Sequence, residues 1–204
     1  MIGIIDYNLC NINSIYNAVE KLTDNVKILK DGSELKGVDK IILPGVGSFP
    51  AAVRNLKKQK LFDHLKIETL DKRKPILGIC LGMQLLFEES FEFEKTKGLE
   101  FINGKVVKFN KKDIITTHLG WNKFEIQKNN FKNDFKKFEN KYFYFIHSYY
   151  VQPKQKQNIF GTTPYGKMNF CSMTKKGNIF GTQFHPEKSG YWGIEFLKNL
   201  KKLI

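Results

Sequence analysis

Pro75-Ile76-Leu77-Gly78-Ile79-Cys80-Leu81-Gly82-Met83-Gln84 is the stretch on which the reading of this chain turns. Residues 76–79 form an apolar run of strand length, and residues 81–87 continue with apolar side chains at helical spacing. One cysteine stands between the two, with a glycine two residues away on each side. This is the G-x-S-x-G strand-to-helix elbow with sulfur in place of oxygen. Gly78 and Gly82 are needed where a Cβ would collide with neighbouring backbone in so sharp a turn. The elbow sets the thiol at a helix start, where unpaired N–H groups and the helix dipole favour the thiolate. A lone cysteine is more often an inert core residue. The glycine frame argues for a nucleophile, provided that the chain supplies a base elsewhere.

Upstream, residues 2–6 read as a first strand, 26–29 as a second and 40–43 as a third. Between the first two, Asn11 caps a helix carrying Ile12, Ile15, Tyr16, Val19 and Leu22. Pro44-Gly45-Val46-Gly47 stops the third strand, and Ser48 caps a helix with Phe49, Ala52, Val53 and Leu56 inward. A further helical piece covers residues 61–70. Strands alternating with helices predict βαβ units and a parallel sheet. In such sheets ligands gather at the carboxyl ends of the strands, where both Cys80 and the 44–47 loop fall.

Downstream of Ser90, strand-like runs follow one another at 101–109, 123–127, 142–146, 158–163, 168–173 and 178–184. Asn103-Gly104 and Lys176-Gly177 read as turns between them. Residues 128–140 are polar and read as a surface excursion, and 193–204 as a closing helix. The expected fold is α/β: one domain over residues 1–204, a mixed, mostly parallel sheet flanked by helices, with antiparallel strands in the C-terminal half.

The 204 residues, 41% hydrophobic and 26% charged, suffice for a sizeable core. No apolar run approaches the ~18 residues of a membrane span, and residues 1–6 have a strand pattern rather than that of a signal peptide. Three scattered cysteines, Cys10, Cys80 and Cys171, make no disulfide framework and point to the cytoplasm. The net charge of +14 invites a nucleic-acid reading. Against it, Arg54 and Arg73 are the only arginines among 34 basic residues, and base readout and bidentate phosphate contacts favour arginine. The lysines are spread along the chain, as on solvated surfaces. Neither nucleic acid nor a membrane is an expected partner, and neither metal nor organic cofactor is expected.

A cysteine nucleophile needs a base, and the base needs an orienting group. Of the four histidines, His185 follows a strand and precedes Pro186-Glu187. Proline holds the residue before it extended, and residues two apart in extended chain face the same side. His185 and Glu187 therefore project together, as base and orienter of a Cys-His-Glu triad. A developing oxyanion needs donors. Leu81 N–H is one candidate, and the backbone of the 44–47 loop is a candidate for the other, its alternative being an ordinary strand-end turn. His118 and His147 are read as structural and His64 as a surface residue.

Residues 78–84 and Phe184-His185-Pro186-Glu187-Lys188-Ser189 together resemble the paired signatures of class I (triad) glutamine amidotransferases. More narrowly, the chain resembles the glutaminase subunits of imidazole glycerol phosphate synthases. Asp6-Tyr7, residues 11–14, Pro44-Gly45-Val46-Gly47, His118-Leu119-Gly120-Trp121-Asn122 and residues 144–149 carry that likeness in order along the whole chain. Cys10, Glu100 and Thr117 depart from it, standing where the family has glycine, glycine and proline. The resemblance implies that Cys80 attacks the side-chain amide of glutamine, that His185 shuttles protons and that Glu187 orients it. It implies that Gly47, Gln84, Glu92, Ser148 and Tyr149 hold the glutamine, and that the Val46 peptide turns toward the site when the partner is loaded. It places Trp121, Asn122, Tyr142 and Lys188 on the face that docks onto a (βα)₈-barrel synthase subunit, giving a heterodimer that passes ammonia between its halves in histidine biosynthesis. A paralogue with the same triad, serving a synthase of an amidino-sugar for surface polysaccharide, is the nearest alternative. A cysteine hydrolase of peptides or esters and an acidic-surface binding module are the more distant ones.

Overall fold

The computed structural model describes residues 1–109, 115–127 and 133–203. Four short apolar runs become the parallel strands β1 (Ile2–Ile5), β2 (Val26–Leu29), β3 (Lys40–Leu43) and β4 (Ile76–Ile79). They are joined by α1 (Ile12–Glu20), α2 (Phe49–Lys58) and α3 (Leu61–Lys66), the last running on through a π-turn at Ile67–Asp71. β1 and β4 are buried at every residue, as strands covered by helices on both faces must be. Alternation assigns the faces. Ile41, Leu43 and Ile76 join the core that includes Phe49, Leu56 and Leu65, while Ile42, Leu77 and Ile79 join Ile15, Val19, Phe196 and Leu197 on the other side.

After β4 comes α4 (Leu81–Leu85), and then β5 (Phe87–Ser90), β6 (Thr96–Lys97), β7 (Ile102–Lys108), β8 (His118–Lys123) and β9 (Glu125–Ile126). α5 (Asn133–Lys136), β10 (Tyr142–His147), β11 (Tyr149–Pro153), β12 (Ile159–Tyr165), β13 (Met168–Lys176), β14 (Ile179–Thr182) and α6 (Gly190–Leu203) complete the order. The main sheet runs β2-β1-β3-β4-β14-β13-β11-β7-β5-β6, with β12 and β9 added at β13. β14 pairs in parallel with β4, and the strands after it are antiparallel except for the β5–β7 pair. The mixed α/β architecture is the expected one.

Several local expectations are corrected. The helix after Cys80 ends at Leu85, because Phe87 enters a strand beside β7. Asn103-Gly104 lies inside β7 rather than in a turn; Gly104 takes φ +141, and its N–H donates to the Glu88 carboxylate. Lys176-Gly177 does close the β13–β14 hairpin, with Gly177 at φ +57. Ser48 and Asn11 occupy cap positions without a side-chain cap hydrogen bond. The expected excursion at 128–140 lies partly outside the described residues; within it, Phe135 and Phe138 are buried against Phe160, Trp192 and Phe196. Glu100 has φ +63, a backbone setting that glycine takes without strain, and its carboxylate pairs with Lys66 at 2.8 Å.

Among the described residues β8 and β10 pair only with each other, as a two-stranded ribbon with Trp121 opposite Tyr144 and Lys123 opposite Tyr142. Its outer face exposes Leu119, Trp121, Tyr142 and Ile146.

Candidate active site

The turn at Cys80 is tight enough to force φ +54 and ψ −110 on a non-glycine residue, a setting that costs about 1–3 kcal/mol. A Cβ at Gly78 would lie 2.5 Å from Gly82 O, and one at Gly82 only 1.7 Å from Leu43 O. Both glycines are therefore required by backbone contact, with the α4 end of the elbow pressed onto the end of β3. The parallel pairing of β4 with β14 places Ile79 opposite Thr182, and Cys80 N–H donates to Thr182 O at 2.7 Å. His185 is three residues beyond Thr182, so one strand pairing closes a sequence gap of more than a hundred residues.

His185 is buried and its backbone N–H donates to Tyr144 O at 2.9 Å. Its Nδ1 lies 2.7 Å from Glu187 Oε1. The contact is the expected one, but its cause differs: Pro186–Lys188 is a 3₁₀ turn, so curvature rather than extended alternation brings the carboxylate under the ring. Nε2 has no conventional hydrogen-bond partner and is the nitrogen left to interact with the Cys80 sulfur. Burial opposes the charged imidazole. The charge and hydrogen bonding of Cys80, and then those of Glu187, outweigh it and raise His185 to about 10. The Cys80 sulfur is also approached by Gln183 Nε2 at 3.7 Å.

Cys80 opens onto a cleft of about 340 Å³, whose wall includes Gly47, Gln84, Glu92, Ser148 and Tyr149. All five expected glutamine-holding residues are thus gathered at one cavity with Val46 and Leu81. Gln84 Nε2 donates to Tyr149 O at 3.0 Å. Glu92 Oε2 accepts from Phe49 N–H at 2.6 Å, so Glu92 rather than Ser48 caps α2. Burial raises the Glu92 pKa, while the Phe49 N–H and Lys108 favour its charged form. Sequence reasoning missed Lys108, Phe93, Ile146 and His147 on the same wall. Phe93 is 86% exposed at φ +63, and only the fold of the β5–β6 loop reveals it.

The two expected oxyanion donors are in unequal states. Leu81 begins α4, where backbone N–H groups lack intrahelical partners. Val46 N–H points elsewhere, donating to Leu9 O at 2.8 Å. The loop is held beside it by Tyr7 Oη, which donates to Pro44 O at 2.9 Å.

Of the expected docking residues, Trp121 and Tyr142 are each 56% exposed on the ribbon. Lys188 sits beside them, its Nζ 6.0 Å from the Tyr144 ring centroid. Asn122 faces the other way. Its Nδ2 donates to Pro164 O at 2.7 Å and contacts His118 Nε2 at 3.1 Å, so its side chain lies behind the exposed face.

A model of the family "Glutamine amidotransferase class-I" matches residues 3–201. The chain belongs to the class I glutamine amidotransferases. Among curated relatives of this amidotransferase, imidazole glycerol phosphate synthase subunit HisH of Methanocaldococcus jannaschii is 49% identical, with all of both chains covered. The subunit of the same name from Caldanaerobacter subterraneus is 45% identical over all of this chain and 98% of the relative. Among solved structures, a glutamine amidotransferase superposes with a TM-score of 0.76 at 13% identity, covering 99% of this chain and 97% of that one. PurLQS from Thermotoga maritima gives 0.72 at 20% identity, covering 100% and 98%. In this amidotransferase no group of His, Cys, Asp and Glu among the described residues is arranged to hold a metal ion. No helix among them is long and apolar enough to cross a membrane.

Proposed function

We propose that the chain is the glutamine-hydrolysing subunit of an imidazole glycerol phosphate synthase, acting in histidine biosynthesis. One observation carries the reading. Cys80 lines a cleft of about 340 Å³, and His185, paired with Glu187, faces its sulfur, in a chain 45–49% identical throughout to subunits of that name. The Cys80 sulfur attacks the side-chain amide carbon of glutamine, and His185 returns the proton to the departing nitrogen, releasing ammonia and leaving a glutamyl thioester. His185 then takes a proton from water, which attacks the thioester; glutamate departs and the thiol is restored. Glu187 holds the imidazole tautomer throughout. Gly47, Gln84, Glu92, Ser148 and Tyr149 hold the substrate.

The partner is a (βα)₈-barrel synthase subunit docked on the β8–β10 ribbon through Trp121, Tyr142 and Lys188, and it consumes the ammonia. Asn122 supports that face from behind. In the free chain the Val46 N–H is turned to Leu9 O, so only Leu81 is set for the oxyanion. The loaded partner completes the hole by releasing Val46. The whole chain acts as one domain, and its unpaired cysteines suit the cytoplasm.

The test is co-purification with the barrel subunit, followed by glutamate release with and without the ribulosyl phosphate precursor. Hydrolysis should be slow in the free chain and rise with the loaded partner. Full turnover by the free chain, or no response to the precursor, overturns the coupling.

A further inference from the structure

Behind the docking ribbon, two histidines that the triad does not use form one hydrogen-bonded chain with a fixed direction. His118 and His147 face each other across β8 and β10 and are 3% and 7% exposed, packed among Phe109, Phe145 and Phe170. His147 Nδ1 is 2.8 Å from Tyr149 O. A carbonyl only accepts, so Nδ1 carries the hydrogen. Burial drives the pKa of His147 down to about 3 and that of His118 to about 4, so both rings are neutral at physiological pH. A neutral His147 with a protonated Nδ1 has a lone pair on Nε2, and His118 Nδ1, 3.0 Å away, must donate to it. His118 Nε2 is then an acceptor, and the Asn122 amide donates to it at 3.1 Å while holding Pro164 O with its other hydrogen. Tyr149 O takes a second donor, Gln84 Nε2, which also reaches Gln183 Oε1 at 3.2 Å. Gln183 in turn directs its Nε2 to Cys80 Sγ.

Each link admits one polarity. Reversing either ring sets donor against donor or acceptor against acceptor, a mismatch that is costly for rings so nearly buried. We propose that His118 and His147 are positioning residues for glutamine hydrolysis. Their directional chain fixes the Tyr149 carbonyl and, through it, the Gln84 amide at the cleft wall, linking the back of the docking ribbon to the substrate site. The proposal rests on the glutaminase reading, and wild-type activity with the barrel partner tests that reading separately.

Two measurements decide it. The first is ¹⁵N NMR of the histidine side chains in the wild-type chain at neutral pH. Both rings should be neutral with the proton on Nδ1; an Nε2–H tautomer or a charged ring at either residue overturns the chain as drawn. The second compares His147→Asn with His147→Gln in the complex, with L-glutamine as substrate. Asparagine sets its amide nitrogen where Nδ1 stood and keeps a donor for Tyr149 O. Glutamine reaches the Nε2 position and leaves that carbonyl one donor short. KM should be roughly tenfold higher in the Gln variant than in the Asn variant, with kcat changed less and similar losses in melting temperature. Equal KM values in two folded variants mean that the pair only holds the core, and overturn the proposal. If either variant fails to fold, His118→Asn, which keeps the donor to His147, is compared with His118→Gln, with the same readout and the same two outcomes.

Discussion

The two sides of Cys80 are in different states of readiness. On the β14 side, the proposed base and its orienter are assembled: His185 is fixed by Tyr144 O through its backbone and by Glu187 through Nδ1. On the β3 side, the loop expected to supply an oxyanion donor is bonded the other way, Val46 to Leu9 O. Both sides are built from strand ends of the same mixed sheet, yet one depends on side chains locked by burial and the other on a glycine-flanked peptide. The difference teaches that charge separation at the sulfur and stabilisation of the attacked carbonyl can be controlled separately.

The most severe way to break the assembled side is Cys80→Ala. Glutamine hydrolysis should fall by several orders of magnitude, to the background left by the cleft, while circular dichroism and the melting curve remain native. The same variant removes the largest favourable influence on the His185 charge, so its pKa, followed by NMR, should fall from about 10. Glu187→Gln comes next. It keeps the shape but loses control of the tautomer, and kcat should drop on the order of 10³–10⁴. Because the folded-state pKa of His185 lies above its ordinary 6.5, the stability from its charge, favoured first by Cys80 and then by Glu187, is present in full below 6.5 and is lost as pH rises through about 10. Denaturant titrations across that window should show a decline in the wild type that is smaller in Glu187→Gln.

Trp121→Ala addresses the β8–β10 ribbon, the proposed docking face. Its side chain is exposed, so folding stability should move by less than about 0.5 kcal/mol. Affinity for the proposed barrel subunit, measured by calorimetry, should weaken at least about tenfold. Tyr7→Phe sharpens the unready side with the smallest effect. Losing the hydroxyl on Pro44 O loosens the loop, and glutamate release by the free chain should rise about 2–10-fold, the weight of one hydrogen bond. A fall in that basal rate means that Tyr7 instead supports the active loop.

The elbow and the parallel half were legible because their signals are local: glycine spacing, apolar runs of four and helical periodicity at 12–22 and 49–56. The second half was less so. β8 contains Gly120 and Asn122, poor strand formers, and its pairing with β10 rests on tertiary contacts rather than propensity. β11 follows β10 with only Ser148 between, so residues 142–153 do not announce two strands in two different sheets. Phe135 and Phe138 sit in a lysine-rich segment whose polarity masked their burial. At the site, His185-Pro186-Glu187 could be read because its members are near neighbours. Lys108, His147 and the capping role of Glu92 depend on strand register and a loop's return path, which no short window encodes.

One contact described above limits how the unready side can move. Gly82 lies against Leu43 O, so the nucleophile's helix and the end of β3 share a fixed pivot. The end of β3 is held against the elbow, and beyond it comes the glycine-flanked peptide Gly45-Val46-Gly47, with Gly47 at φ +96. The activation proposed above is then a rotation about a peptide plane rather than a closing of lobes. Resting and active chains should scatter X-rays with the same radius of gyration. The amide of Val46, through its exchange with solvent deuterium, is the atom that tells them apart.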